Sequence, residues 1–253
     1  MNILFTKRDD WQATLLKACK HLNANGIFDD FNSKSMGQVN YVFPIGTKDV
    51  IKASDFFEDK HKYPSIDLIR ICENKLQFDL LLNNNELAHV SPLIKKSQRT
   101  FPYVLKEKTG EFGNNVFIIQ NPDEEALHQD KLSDDSFFLQ KYIKGEDEYA
   151  LHFLFDGEKF RYFKEVKYEY GYEFAIKSPK HVPVRQLWAD NSQWKDEITN
   201  ILKSIKYRGI GCLNYKIEAN QLFILELNPR IGGSMMPVVS EMISEFIRFF
   251  NEP

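Results

Sequence analysis

Hydrophobic and polar residues alternate with two different periods along this chain. Near the start, residues 2–6 predict a strand, and apolar residues at helical spacing predict a helix from about Asp10. Further strands are predicted after Gly26 and over residues 40–45, and a single helix is predicted over residues 65–82 after a Ser65 cap. Strands that alternate with helices favour a small parallel sheet in this part of the chain.

The pattern changes at Phe101, where longer strands begin. Five apolar segments predict a largely antiparallel region: PYVLKE, NVFIIQ, FFLQKYI, EYALHFLF and KFRYFKEVKYEY. They are followed by a helix over 194–206, a hairpin over 212–228 and a last helix with one apolar stripe. That stripe can pack internally or against a second copy of the chain, so a homodimer is one expectation.

Composition removes several classes of function. The 253 residues carry 33 Lys and Arg against 36 Asp and Glu, a net charge of −3, so nucleic acid is not expected as a main partner. No apolar run approaches the ~18 residues of a membrane helix, and charged residues begin at Lys7, too early for a secretory segment. We therefore expect a cytoplasmic protein without membrane association. Three scattered cysteines fit no disulfide framework, and neither an HExxH nor a GxSxG pattern occurs.

The segment ELNPRIGGS, residues 226–234, carries the sharpest chemical pattern. The strand period of two places Glu226 and Asn228 on one face and three apolar residues on the other: Phe223, Leu225 and Leu227. On the neighbouring hairpin strand, Asn214, Lys216 and Glu218 share a face in the same way. A carboxylate and an amide oxygen two residues apart are hard ligands that suit Mg²⁺. A surface-facing polar pair at a strand end explains the pattern equally well.

The turn after this strand suits an anion. Ser234 can cap the helix that follows, and Gly232 and Gly233 allow backbone amides to face a ligand. A helix N-terminus attracts anions, and Arg230 adds a positive charge beside it. The pattern predicts a carboxylate or phosphate site, and its alternative is a plain turn before a helix.

Two further segments suit a nucleotide. Lys106 lies on an apolar strand just before a loop with Gly110 and Gly113, where a lysine can contact phosphate oxygens. No GxxxxGK[ST] loop and no HRD or DFG element accompanies it. The second segment, FLQKYIKGEDE, forms an extended crossing whose backbone can pair with a base, and Glu148 follows it. An ordinary strand lysine and an ordinary strand connection are the alternatives.

Taken in order, these segments resemble the ATP-grasp superfamily from about residue 40 to residue 240. The resemblance is closest to members like carbamoyl-phosphate synthase and D-alanine ligase. It implies an α+β protein: an ATP-grasp fold of two α+β subdomains that clamp ATP, preceded by a short α/β domain. The implied limits are residues 1–73 for the N-terminal domain and 74–253 for the ATP-grasp domain, with a small lobe over about 98–142 and a large lobe over about 143–253.

The resemblance also implies roles for individual residues. Nucleotide binding falls on Lys75, Lys106, Gln140, Lys141, Ile143 and Glu148. Metal binding falls on Glu226, Asn228 and Asn214, for Mg²⁺ or Mn²⁺. Arg230 is implied at the reactive end. Lys167, on the strand after Asp156 and Gly157, is predicted as a second catalytic residue that stabilises the transferred phosphate, and a solvated strand charge explains it equally well. Substrate binding falls on Gly232, Gly233 and Ser234.

The implied reaction is ATP-dependent ligation of a small-molecule carboxylate to an amine through an acyl-phosphate. Several positions depart from the family pattern. Glu107 replaces a proline, Phe112 and Asn115 stand where the phosphate-covering loop has glycines, and Lys216 lies near the metal-facing strand. These departures keep one alternative open, a non-catalytic nucleotide-binding protein on the same fold. A phosphotransferase acting on a small-molecule hydroxyl is a further alternative, because some members of the superfamily perform that reaction.

Overall fold

The computed structural model describes residues 1–57, 62–110, 113–178 and 180–252. The chain begins with a parallel sheet of three strands in the order β2-β1-β3, made of β1 (Asn2–Phe5), β2 (Asn25–Phe28) and β3 (Tyr41–Val42). Three helices follow these strands in turn: α1 (Asp9–His21), α2 (Ser33–Met36) and α3 (Thr47–Phe56). The sequence pattern did not predict α3.

Two short helices replace the single helix predicted over residues 65–82. They are α4 (Ile66–Glu73) and α5 (Lys75–Asn84). Asn74 separates them with φ −105° and ψ 101°, and its side chain accepts a hydrogen bond from the backbone N–H of Gln77. The prediction of one helix is therefore wrong, because Asn74 is extended and caps a new helix. As a result, Lys75 begins α5.

A small antiparallel sheet comes next, in the order β5-β4-β6. Its strands are β4 (Tyr103–Glu107), β5 (Val116–Ile119) and β6 (Phe137–Lys141). Between β5 and β6 the chain forms α6 (Pro122–Ala126) and α7 (Gln129–Ser133).

A larger antiparallel sheet has the order β11-β10-β7-β8-β9. It contains β7 (Asp147–Phe155), β8 (Phe160–Glu169), β9 (Arg185–Ala189), β10 (Gly209–Glu218) and β11 (Gln221–Asn228). Its helices are α8 (Lys195–Ser204) and α9 (Val239–Asn251). The sequence pattern missed β9, an edge strand whose largely exposed residues lack the alternation of a half-buried strand. The α+β class is confirmed.

Shared hydrophobic cores join the N-terminal sheet and the helices that follow it to the larger antiparallel sheet and its helices. The apolar stripe of α9 packs on the N-terminal sheet, where the Phe246 and Phe43 rings meet edge to face at 5.0 Å between centroids. Both α4 and α5 pack against β11 in one core with α8, so the predicted boundary at residue 73 falls between helices of the same core. The domain limits stay a prediction. Among the described residues, no helix is long and apolar enough to span a membrane.

Candidate active site

A cleft of about 520 Å³ lies between the two antiparallel sheets. All of the predicted site residues except Lys167 line it: Lys75, Lys106, Gln140, Lys141, Ile143, Glu148, Asn214, Glu226, Asn228, Arg230, Gly232, Gly233 and Ser234. The fold therefore brings together residues that are up to 159 positions apart in the sequence.

Glu226 lies between two asparagine side chains. Asn214 and Asn228 each donate Nδ2–H to Glu226 Oε1, at 2.7 and 3.0 Å. Burial acts to raise the pKa of Glu226, but positive neighbours, foremost Lys106 and Lys75, outweigh it and lower that pKa to about 2. Glu226 is therefore ionised at neutral pH.

A β-bulge shapes the strand that carries Glu226. The register between β10 and β11 shifts after Asn214, and Leu225 is the extra residue. Leu225 lines the cleft while Ile224 packs in the core. The prediction that Leu225 faces away from Glu226 is wrong, because the extra residue inverts the alternation before it. The bulge also presents the Leu225 carbonyl to Lys106, whose Nζ donates to it at 3.0 Å.

A second buried carboxylate, Glu148, faces two lysines. Its Oε2 accepts a hydrogen bond from the backbone N–H of Lys177 at 3.3 Å. Burial raises the pKa of Glu148, although Lys177 and Lys216 act in the opposite direction. Lys216 Nζ donates to the Gly145 carbonyl at 2.7 Å, just before β7. The Lys216 side chain therefore points to Gly145 and not between the predicted metal ligands. Two of these ligands, Asn214 and Glu226, contact each other directly.

Lys177 lines the cleft, and the sequence pattern did not single it out. It lies in an irregular segment between β8 and β9, with its Nζ 4.5 Å from the centroid of the Tyr168 ring. Burial works against its charge, but Tyr168, Cys212 and the carboxylates Glu148 and Glu226 raise the pKa of Lys177 overall. No periodic signal marks such a loop residue, so only tertiary contacts reveal it.

At the end of β6 the chain passes from one lobe of the cleft to the other. The buried Gln140 side chain donates Nε2–H to Asp79 Oδ2 at 2.7 Å. Lys141 forms an ion pair with Glu218, and Glu218 Oε1 also accepts from the backbone N–H of Lys144 at 2.8 Å. The sequence analysis identified Gln140 and Lys141, but it predicted neither of these pairings with an acidic residue.

His152 fixes the turn at the far end of the cleft. Its Nδ1 accepts from the backbone N–H of Gly232 at 3.3 Å, so its proton is on Nε2, which donates to Ser234 Oγ at 2.8 Å. Burial, reinforced by the positive charges of Lys177 and Arg230, lowers the pKa of His152 to about 3. With its oxygen accepting from His152, Ser234 keeps its own hydroxyl proton for another acceptor.

The turn itself differs from the predicted helix start. A 3₁₀ helix over Gly233–Val238 follows Gly232, and α9 begins at Val239. Ser234 bonds to His152 and caps neither helix. The prediction that Ser234 caps the next helix is wrong, because the buried imidazole binds the hydroxyl instead. Its neighbour Arg230 lines the cleft and donates Nη1–H to the Ile231 carbonyl at 3.2 Å.

The glycine-containing loop after β4 reaches both lobes. Lys75 Nζ donates to the Gly110 carbonyl at 2.7 Å. Gly113 has φ +65°, and a Cβ added there would lie 2.2 Å from the backbone oxygen of Lys177. Only a glycine allows this close approach. Phe112, a departure from the family pattern, lies outside the described residues.

Lys167 does not line the cleft. Its Nζ forms ion pairs with Asp147 at 2.8 Å and Glu169 at 2.9 Å. Tyr168, the next residue of β8, lines the cleft, so Lys167 points to the opposite face of the sheet. This placement does not fit the predicted catalytic role, whereas Lys177, from the segment after β8, does line the cleft.

The cleft has a charge opposite to that of the whole chain. Of the described residues that line it, six are Lys or Arg and three are Glu, whereas the chain has a net charge of −3. Low-dielectric walls strengthen such a local field. The cleft is therefore built to receive an anion.

A model of the ATP-grasp domain matches residues 72–234. The chain belongs to the ATP-grasp family. Among curated proteins, no sequence matches it significantly. The family assignment covers both lobes of the cleft and all of its predicted site residues.

Solved ATP-grasp structures share the fold at low sequence identity. N5-carboxyaminoimidazole ribonucleotide synthetase from Thermotoga maritima is 14% identical with a TM-score of 0.65, covering 100% of this chain and 76% of that one. Biotin carboxylase from Campylobacter jejuni is 15% identical with a TM-score of 0.63, covering 98% and 70%. D-alanine–D-alanine ligase from Bacillus anthracis is 14% identical with a TM-score of 0.59, covering 98% and 95%.

The oxygen donors around Glu226 in this ATP-grasp chain carry little charge. Among the described residues, no group of three or more His, Cys, Asp or Glu side chains can hold a metal ion. The cluster around Glu226 instead combines one carboxylate with two amides. Carboxylate and amide oxygens are both accepted ligands of Mg²⁺, so the chemistry of this donor set fits the ion.

Proposed function

We propose that this protein is an ATP-dependent ligase that joins a small-molecule carboxylate to an amine through an acyl-phosphate. The observation that carries the proposal is the cationic cleft, in which lysines from both lobes surround the ionised carboxylate of Glu226. A nucleoside triphosphate matches this field in charge. The structural neighbours include a biotin carboxylase in complex with an ATP analogue and a D-alanine–D-alanine ligase in complex with ATP.

The residues divide into nucleotide and metal groups. Gln140, Lys141 and Ile143 bind the base, Glu148 binds the ribose, and Lys75 and Lys106 hold the phosphates. Lys177 adds a further positive charge on the part of the wall that contacts the glycine-containing loop. Glu226, Asn228 and Asn214 would hold Mg²⁺, or Mn²⁺, which supplies positive charge to the phosphoryl oxygens when bound.

The reacting end contains Arg230 and the turn from Gly232 to Ser234. These residues bind and orient the acceptor carboxylate, with the Ser234 hydroxyl proton turned to an anion because His152 donates to its oxygen. Ser234 and His152 do not form a nucleophile–base pair, since the Nε2 that faces the hydroxyl already carries the proton. Positioning and electrostatic stabilisation are sufficient for phosphoryl transfer to a carboxylate, without a protein nucleophile.

One observation favours a second candidate, a nucleotide-binding protein without turnover. Asn214 presents an amide to Glu226, so the donor set carries a single negative charge. A weaker metal site is compatible with binding and not with efficient transfer. Phosphate release in the presence of mixed acids and amines separates the two candidates, and product analysis separates a ligase from a phosphotransferase, whose product is a stable phosphate ester.

Thermal unfolding tests the proposed site directly. A nonhydrolysable ATP analogue at about 100 times its Kd stabilises by about 2.7 kcal/mol, which is a shift of several degrees at roughly 2–4 °C per kcal/mol for this size. We expect a Mg²⁺-dependent shift in the wild type that is lost in Glu226→Gln. The Lys167→Met variant, outside the cleft, keeps the shift. No shift of the wild type under any condition contradicts the proposal.

A further inference from the structure

Asp79 is a buried carboxylate that has no role in the proposed reaction. It lies on α5 with 0% exposure, and it accepts two side-chain hydrogen bonds. Gln140 Nε2–H donates to Oδ2 at 2.7 Å, and the Ser91 hydroxyl donates to Oδ1 at 3.2 Å. Burying a carboxylate is costly, so its fixed contact with a residue of the cleft wall calls for an explanation.

The charge of Asp79 determines which way the Gln140 amide turns. Burial raises the pKa of Asp79 to about 6, against the opposing effects of Gln140, Lys106 and Ser91. At pH 8 the carboxylate is ionised, and an ionised carboxylate only accepts hydrogen bonds. The NH2 group of Gln140 must therefore face Asp79, and its carbonyl oxygen faces the other way.

The Gln140 carbonyl is left for a ligand. Gln140 lines the cleft, and within the part of the chain that the structure describes its side chain makes no hydrogen bond other than that to Asp79. A wall that presents an acceptor prefers a ligand group that donates. A ligand carbonyl at the same place leaves two acceptors facing each other without a proton.

We propose that Asp79 is a positioning residue that turns the Gln140 carbonyl towards the base of the bound nucleotide. The cleft then selects a purine with an amino group at C6 over a purine with a carbonyl there. This inference rests on the proposed function in one respect, since it requires a nucleoside phosphate with its base at the Gln140 end of the cleft.

Calorimetric titration with Mg-ADP and Mg-IDP at pH 8 tests the inference without turnover. The two nucleotides differ in the group at C6, which is an amine in ADP and a carbonyl in IDP. We expect wild-type protein to bind ADP at least about tenfold more tightly than IDP. In Asp79→Asn, the new amide can donate to Gln140, so both orientations of the Gln140 amide are allowed and the preference falls to about threefold or less.

Ser91→Ala is the matched control. It removes the other hydrogen bond of Asp79 and leaves the contact with Gln140, so the preference for ADP is retained. An unchanged preference in Asp79→Asn, or a loss of preference in Ser91→Ala as large as that in Asp79→Asn, overturns the inference.

A second variant covers the case in which Asp79→Asn does not fold. Gln140→Met removes the acceptor, so affinity for ADP falls by about tenfold while affinity for IDP changes by less than about twofold. An equal loss for both nucleotides overturns the inference. Tight but equal binding of ADP and IDP by the wild type also overturns it and leaves the proposed function standing, whereas no binding of either nucleotide overturns the proposed function itself.

Discussion

The two ends of the cleft are built on different electrostatic principles. One end of the cleft, which we call the hinge end, contains polar groups that pair within the protein: Gln140 with Asp79, and Lys141 with Glu218. At the other end, which we call the phosphate end because we propose that phosphates bind there, lysines of both lobes surround Glu226 and positive charges exceed negative ones. The hinge end is thus arranged before a ligand arrives, whereas the phosphate end reaches charge balance with an anionic ligand.

The largest expected effect concerns His152, whose pKa is lowered mainly by burial and further by the positive charges of Lys177 and Arg230. Its pKa falls from 6.5 to about 3 on folding, so the neutral form is favoured in the fold. The resulting stability is full above pH 6.5 and is lost as pH falls towards 3; at pH 4 the loss is about 3 kcal/mol. Urea unfolding at pH 7.5 and pH 4 should show that the wild type loses about 3 kcal/mol more than His152→Gln.

The control for this comparison is His21→Gln, which removes an exposed histidine from α1. That variant should lose as much stability at pH 4 as the wild type. Equal losses in the wild type and in His152→Gln contradict the claim that a buried neutral imidazole supports the Gly232 turn.

The second-largest change in free energy is expected when one lysine is removed from the phosphate end, which should weaken nucleotide binding. Lys106→Met removes a buried ammonium group, and hydrogen bonds to charged groups contribute about 1.5–3 kcal/mol, or roughly 10- to 100-fold in Kd for Mg-ADP. Lys167→Met is the matched control and should leave the Kd unchanged, because Lys167 lies on the other face of the sheet. Similar losses in both variants would show that the effect is only one of overall charge.

Disrupting the contact between the glycine-containing loop and Lys177 should weaken nucleotide binding by an intermediate amount. In Gly113→Ala, the new Cβ meets the Lys177 carbonyl oxygen, and the loop must move away from the cleft. We expect a loss of about 1 kcal/mol in binding, roughly fivefold in the Kd for Mg-ADP. Gly171→Ala carries the same kind of backbone strain at φ +73°, but its Cβ meets only Val184 methyl groups at 3.5 and 3.6 Å. If both variants bind alike, the loop contact is irrelevant to binding.

The smallest change in stability and in nucleotide binding is expected when an ion pair is removed from the hinge end. Glu218→Gln keeps an acceptor for the Lys144 N–H but removes the ion pair with Lys141, whose side chain is 48% exposed. Exposed pairs contribute about 0.2–1 kcal/mol, so stability should fall by less than about 1 kcal/mol, and the Kd for Mg-ADP should rise by less than about twofold. A larger loss, measured by urea unfolding and calorimetry, would mean that the two ends depend on charge to the same degree.

The spacing of residues in the sequence predicted much of this site. Glu226 and Asn228 share the cleft face because they are two apart on one strand, and Lys106 lies on a regular apolar strand. The same reasoning misplaced Leu225, since a bulge adds a residue and inverts the alternation. It also misplaced Lys167, because a strand's period does not say which of its two faces meets the cleft.

Other features had no local signal. Lys177 lies in an irregular loop, and His152 occupies an apolar strand as an isolated polar residue. Asp79 lies among apolar residues of a helix that the sequence pattern joined to its neighbour. Each owes its role to partners far away in the sequence, such as Asp79 with Gln140, 61 positions apart.

The sequence by itself determined the α+β character, the order of most strands and helices, and most of the side chains that meet in the cleft. These features depend on local periodicity and on short motifs, which are present in the sequence before the chain folds. The tertiary structure alone decided the register at Leu225, the tautomer of His152, the orientation of the Gln140 amide and the positive balance of the cleft. Those features depend on burial and on contacts between distant segments, which change pKa values and hydrogen-bond roles only after the chain has folded.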